Sequence, residues 1–156
     1  MHDMSPLVGS AAPAFTLPAT NGGTVSLAEH TGERSVLVAF FPLAFTSTCT
    51  AELCAMTDDY SQFESRGVAV IPVSVDSVPT LNEFKAKHAI GVDLASDFKR
   101  DVSRSYGVLN EERFYSNRAY FLVDKRGVVR WSHIEKVNRD RRENADLFAA
   151  IESLQG

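Results

Sequence analysis

Two cysteines in 156 residues are too few for a disulfide-stapled scaffold, and the histidines, His2, His30, His88 and His133, are scattered without ligand spacing. Two cysteines alone cannot complete a tetrahedral zinc site, so no metal is expected. Glycine-rich phosphate loops are missing too: Asn21-Gly22-Gly23 is too short and leads into no helix, so no nucleotide cofactor is expected. The longest nearly apolar run, Val36 to Phe45, is interrupted by Pro42 and falls far short of the roughly 20 residues that span a bilayer. Net charge is −4 with acids and bases interleaved, which marks neither a nucleic-acid surface nor an anionic-membrane surface. Even the basic stretch Arg139-Asp140-Arg141-Arg142-Glu143 is broken by acids and reads as a solvated helix entry. Met1-His2-Asp3-Met4 lacks the basic flank and apolar core of a secretory signal. A reducing cytoplasm is the simplest compartment, and there close cysteines are more often catalytic or metal-binding than structural. No repeat, linker or low-complexity stretch divides the chain. With 44% hydrophobic residues it suits one well-buried domain over residues 1–156.

What is present alternates between strand and helix signals. Ala14-Phe15-Thr16-Leu17 and Thr24-Val25-Ser26-Leu27 flank Asn21-Gly22-Gly23 and predict a β-hairpin near the amino end. Ser35 to Phe41, ended by Pro42, predicts a buried strand. Cys49, Leu53, Met56, Tyr60 and Phe63 then recur at helical spacing, one face of a helix that Arg66-Gly67 stops. Val68 to Val75 reads as a second buried strand despite Pro72, and Pro79 to His88 as a helix that Gly91 terminates, which gives a βαβ unit. Asp101 to Tyr106 predicts a short helix ending at Gly107. Ala119 to Asp124 and Gly127 to Ser132 predict strands joined at Lys125-Arg126, and Glu143 to Leu154 a last helix. Trp131 and Tyr120, in the late strands, are expected as core or interface aromatics. The expected class is α/β, a mixed central sheet flanked by helices with hairpins toward both ends.

Chemistry concentrates where the first long strand gives way to a helix. Thr46, Ser47 and Thr48 offer hydroxyls to cap that helix, and Cys49 falls in its first turn. Helix N-termini carry unpaired N–H groups and the positive end of the backbone dipole, which favour a thiolate, so a reactive thiol is expected. Thr46 precedes the sulfur by one turn; its hydroxyl either only caps the helix or faces the sulfur and whatever the sulfur attacks. Pro42 removes a donor and stiffens the turn, although a proline that ends a strand is ordinary by itself. Glu52, one turn after Cys49, is either a charge complementing the dipole or a hydrogen-bonding support. Alone beside a thiolate it would disfavour ionisation, so a cation has to offset it. From the residues alone, Arg118 is an ordinary surface arginine.

Pro42-x3-Thr46-x2-Cys49-x2-Glu52, with Asn117-Arg118-Ala119-Tyr120-Phe121-Leu122-Val123-Asp124 downstream, resembles the active-site signature of the peroxiredoxins. The likeness also runs through Gly9-x3-Pro13-x-Phe15-Thr16-Leu17, Ser96-Asp97-Phe98, Tyr106-Gly107-Val108 and Gly127-Val128-Val129-Arg130, covering nearly the whole chain. Pro42-Leu43-Ala44-Phe45-Thr46 is most similar to the alkyl hydroperoxide reductase E branch, typically one-cysteine. Cys49-Thr50-x-Glu52-x-Cys54 instead resembles the bacterioferritin comigratory protein, or peroxiredoxin Q, branch.

The resemblance implies a thioredoxin-like fold and a thiol peroxidase that reduces hydrogen peroxide or organic hydroperoxides. It implies that Cys49 attacks the terminal peroxide oxygen and becomes a sulfenic acid, with Arg118 as the cation beside the sulfur. Thr46 would hold the peroxide in line, and Pro42 would shield the thiolate from bulk water. Thioredoxin, a glutaredoxin-like protein or a low-molecular-weight thiol would return the electrons. Related proteins occur as monomers and dimers, and the exposed side of the Cys49 turn is a candidate homodimer interface.

Cys54 follows Cys49 by five positions, about 140° around a regular helix and roughly 8 to 9 Å between Cα atoms, beyond the roughly 7 Å an unstrained disulfide spans. The apolar stripe from Leu53 to Phe63 directs Cys54 to the opposite, solvent-facing side. The family spacing implies that Cys54 resolves the sulfenic acid, which requires the first helical turns to unwind; otherwise it is a spare exposed thiol and an external thiol resolves Cys49. Two other classes compete with the peroxidase. A disulfide oxidoreductase would usually need Cys-x-x-Cys, which is absent, and a redox-sensing holdase would use the same sulfur without turnover.

Overall fold

In the computed structural model, which describes residues 6–155, alternation along one strand divides the protein into two cores. Val36, Val38 and Phe40 enter one, and Leu37, Ala39 and Phe41 the other, so both faces of the strand are covered. Met1-His2-Asp3-Met4 lies outside the described residues.

The elements run β1 (Thr16–Pro18), β2 (Thr24–Ser26), β3 (Ser35–Phe40), α1 (Ser47–Asp58), α2 (Tyr60–Ser65), β4 (Val68–Ser74) and α3 (Val78–His88). They continue with β5 (Ala95–Ser96), α4 (Asp101–Ser105), β6 (Leu109–Asn110), β7 (Tyr115–Ser116), β8 (Ala119–Val123), β9 (Val129–Ile134) and α5 (Asn144–Gln155). The central sheet has the order β5-β4-β3-β8-β9; β3, β4 and β5 are parallel, and β8 and β9 antiparallel. One core lies under α1, α2, α3 and α5, where Leu53, Phe63, Phe84 and Ile151 meet. Phe15, Leu17, Val102 and Tyr106 close the other from the side of the β1–β2 hairpin and α4. That hairpin joins the sheet edge through a bridge between Ala19 and Ala95. Pro72 is tolerated in β4 because β5 pairs only with Val73 and Ser74, leaving the edge beside the proline free.

The expected α/β architecture with a mixed sheet is observed, and three local expectations are corrected. The helix over Cys49 to Phe63 is two helices, broken at Asp59 (φ −106°, ψ 16°). Asn144 causes the break to persist: its Nδ2 donates to the Ala55 carbonyl and the Asp59 carboxylate, both at 2.9 Å. Helix α3 stops at Ala89, which adopts the left-handed conformation (φ 52°), and not at Gly91. Gly91 serves a close approach instead, its N–H donating to Thr57 Oγ1 at 3.0 Å where an added Cβ would lie 3.2 Å from Thr57 Cγ2. Finally, Cys54 is half-buried rather than solvent-facing, its Sγ 4.0 Å from the His88 carbonyl oxygen at the end of α3. The short β6–β7 ribbon has no strand signal in the sequence. Among the described residues no helix is long and apolar enough to cross a membrane.

Candidate active site

Phe41 ends β3 by donating its N–H to the Val73 carbonyl at 2.9 Å, and the chain then turns through buried Pro42 into α1. Two features fix this turn. The Ala44 N–H donates to the Asp76 carboxylate at 2.8 Å, and Phe45 sits in the left-handed region (φ 68°) with its ring 5.1 Å from that of Phe84. A left-handed non-glycine residue costs about 1–2 kcal/mol, which the ring packing and the Asp76 bond offset.

Thr46 occupies the N-cap position, but its side chain does not cap. Its hydroxyl donates to the Leu43 carbonyl at 2.8 Å, while its own carbonyl accepts from Thr50 N–H at 2.9 Å and Thr50 Oγ1 at 2.7 Å. Thr48 does not cap either: its hydroxyl donates to the Arg139 carbonyl at 3.2 Å. The backbone N–H groups of the first turn are therefore left without side-chain caps. Cys49, in that turn, is fully buried.

Arg118 is brought to the sulfur by the sheet. Phe40 pairs with Ala119, so the residue before β8 lies beside the end of β3. The guanidinium is 1% exposed; Nη2 donates to Cys49 Sγ at 3.0 Å and Nη1 to Glu52 Oε1 at 2.7 Å. Nε and Nη2 both reach the Asn138 carbonyl, at 3.2 and 3.0 Å. Glu52 is 2% exposed, and its other oxygen accepts from the Tyr120 hydroxyl. Tyr120 in turn accepts the Arg142 N–H at 3.0 Å.

Charge is balanced inside this cluster. Burial pushes the Glu52 carboxyl above its usual range, against the pull of Arg118 and Tyr120. Both of its oxygens nevertheless accept from donors, which is the arrangement of a carboxylate. Burial opposes the Arg118 cation, yet Glu52 and Cys49 outweigh it and hold the guanidinium above its ordinary range. Burial, with the Glu52 carboxylate beside it, raises Tyr120 well above the usual phenol range and keeps its proton available for donation.

Cys49, Glu52 and Arg118 thus converge, with Pro42 buried in the turn that leads to them and Thr46 at the N-cap of α1. Arg118 is the reverse of a surface arginine. Cys54 is not brought to Cys49, since an unbroken stretch of α1 separates them. The basic stretch is, as expected, a solvated entry to α5: Arg139, Asp140 and Glu143 are exposed, and residues 139–143 line a cleft of about 470 Å³ with Ser47, Thr48 and Ala51. Tyr120 is a core aromatic as expected, but its hydroxyl also belongs to the site. Its signal was the strand alternation that puts it on the same side as Arg118. Asn138 meets the guanidinium through its backbone carbonyl, for which no residue type gives a signal, while its Oδ1 accepts from the Arg118 backbone N–H.

Residues 8–132 match the AhpC/TSA family. Alkyl hydroperoxide reductase E of Mycobacterium tuberculosis is 37% identical over 148 residues, spanning 92% of this chain and 97% of that protein. Peroxiredoxin bcp of Coxiella burnetii is 36% identical over 132 residues, spanning 81% of this chain and 87% of that one. Likenesses to both branches seen in the motif are therefore present. The reduced 2-Cys peroxiredoxin of Plasmodium vivax superposes with a TM-score of 0.89 at 31% identity, over 96% of this chain and 83% of that one, which identifies the sheet and its helices as the thioredoxin-like fold. With the sheet, the buried thiol and these relatives in agreement, the chain belongs to the AhpC/TSA family, the peroxiredoxins, and is a peroxidase of the oxidoreductase class.

Proposed function

We propose that Cys49 is the nucleophile that reduces hydrogen peroxide and organic hydroperoxides, working within a single domain in a reducing compartment such as the cytoplasm. The observation that carries this reading is the 3.0 Å contact between Arg118 Nη2 and a sulfur that is fully buried. A fixed cation and the unpaired N–H groups of α1 favour the thiolate and stabilise charge growing on oxygen. The thiolate attacks the terminal oxygen, the O–O bond breaks, an alkoxide or hydroxide leaves and takes up a proton, and Cys49 becomes a sulfenic acid. Thr46, which spends its proton on Leu43, keeps lone pairs with which to accept the peroxide O–H. Pro42 covers the sulfur, and Glu52 holds Arg118.

In the second step Cys54 attacks the sulfenic sulfur, releasing water and leaving a Cys49–Cys54 disulfide, which thioredoxin, a glutaredoxin-like protein or a small thiol reduces. A wound α1 forbids this bond, so its first turns have to open. The missing side-chain cap and the left-handed Phe45 favour opening there. A second reading has a specific support as well: Cys54 is half-buried against His88, and in that position an external thiol is the resolving group. Mass spectrometry of peroxide-treated protein decides both points. The expected products are an intrachain disulfide in the wild type and oxidised Cys49 in Cys54→Ser. Cys49 sulfinic acid with no intrachain link in the wild type removes the resolving role, and an unmodified Cys49 removes the nucleophile.

A further inference from the structure

Beyond the cluster around Cys49 lies a second buried carboxylate that the reaction above does not use. Glu135, just past β9, is 6% exposed. Its Oε2 accepts from Arg142 Nε at 2.9 Å, and Oε1 lies 3.4 Å from Arg142 Nη2 and 3.1 Å from His133 Nε2. The paired side chains bracket the segment 136–141, which contains Asn138. At its far end the Arg142 N–H donates to the Tyr120 hydroxyl, and at its near end the Glu135 N–H donates to the Arg118 carbonyl at 2.9 Å. Asn138 grips Arg118 twice more, through Oδ1 to the Arg118 N–H at 3.1 Å and through its carbonyl to Nε and Nη2.

We propose that Glu135 is a positioning residue for the peroxidase: its fork with Arg142 closes the 136–141 segment into a bracket that aims the Arg118 guanidinium at Cys49. The Asn138 carbonyl accepts from the same Nη2 that donates to the sulfur, so the position of this segment sets the angle of that nitrogen. Glu52 alone grips only Nη1 and leaves rotation about that bond open. A planar guanidinium needs a contact on a second edge to be held in one orientation, and the loop supplies it. Glu135 does not touch the sulfur.

This inference rests on Cys49 and Arg118 acting as proposed above, and two readouts keep the two claims apart. Glu135→Gln keeps the shape and removes the charge. Peroxide consumption is expected to fall roughly ten-fold or more from misorientation. Ultraviolet titration of the Cys49 thiolate is expected to move to higher pH. By charge alone, deleting a carboxylate favours the thiolate and moves that titration the other way, so the direction separates positioning from electrostatics. Arg142→Gln should give the same two changes, and the double variant no further loss, because the residues act as one unit. If Glu135→Gln does not fold, Arg142→Lys, which retains charge but not the fork, carries the test with the same expected directions. Unchanged rate and titration, a shift to lower pH, or additive losses would each overturn the proposal. A wild type inert to peroxide defeats the underlying reading instead, while the thiolate titration still reports on Glu135.

Discussion

Strand β8 carries a charge just beyond each end, and the two ends put the same kind of pairing to opposite uses. Arg118, before it, is buried with Glu52 at 2.7 Å and has every neighbouring oxygen supplied by the fold. Asp124, after it, pairs with Arg130 at 3.3 Å across a turn, with the arginine side chain 46% exposed. Water and salt screen the second pair, so it contributes little to stability and nothing to orientation. The first pair is not screened, and separating its members leaves an uncompensated charge in the core. A charge costly to bury is thus retained at the end of the sheet where the reactive sulfur sits, and the opposite end keeps only a turn.

Substitutions at the two ends should differ accordingly. Arg118→Ala is expected to have the largest effect, lowering unfolding free energy by about 3–5 kcal/mol in urea titrations because Glu52 is left buried and unpaired. Its rate with peroxide should fall about a hundred-fold or more in stopped flow. If Arg118→Ala proves as stable as the wild type, the contrast between the ends is lost. Tyr120→Phe comes next: it strips the Arg142 N–H of its acceptor and Glu52 of a donor, a loss of roughly 1–3 kcal/mol by the same urea titration.

At the far end, Asp124→Asn should cost at most about 1 kcal/mol at neutral pH and leave peroxide reduction unchanged. Partial burial works against the Asp124 charge, but the Val128 and Arg126 N–H groups and Arg130 outweigh it and hold the carboxyl below its usual range. A lowered carboxyl adds stability above its unfolded pKa and loses it as pH falls through the folded one. The difference between Asp124→Asn and wild type should therefore shrink as pH falls below the ordinary carboxylate range, measured by denaturation at a series of pH values. Arg130→Gln should be the mildest, within about 0.5 kcal/mol, and the small loss should vanish in high salt.

The contrast also explains what the sequence could disclose. The β3 strand, the turn at Pro42 and the face carrying Cys49, Leu53 and Met56 follow from local periodicity, and the structure has them in place. Arg118 needs the pairing of Phe40 with Ala119, a long-range register that only the family resemblance supplied. Nothing local distinguishes it from Arg130. The break at Asp59 depends on Asn144, and the setting of Cys54 on His88; both are tertiary contacts that override a helical pattern. Asn138 holds the guanidinium through its backbone carbonyl, which every residue possesses, and its Oδ1 reaches the Arg118 N–H only through the tertiary fold. The charges of residues 139–143 disclosed their solvation, with Arg139, Asp140 and Glu143 exposed, but not that the Arg139 carbonyl and the Arg142 N–H face Thr48 and Tyr120.

The central claim is that Cys49, held against Arg118, reacts with peroxide as a built site and not as a free thiol. Stopped-flow mixing of the reduced protein with hydrogen peroxide, beside Cys49→Ser, tests it most directly. The account predicts a wild-type rate constant orders of magnitude above that of a free thiol and no peroxide loss beyond background in Cys49→Ser. A wild-type rate no faster than a free thiol, or one retained in Cys49→Ser, would contradict it.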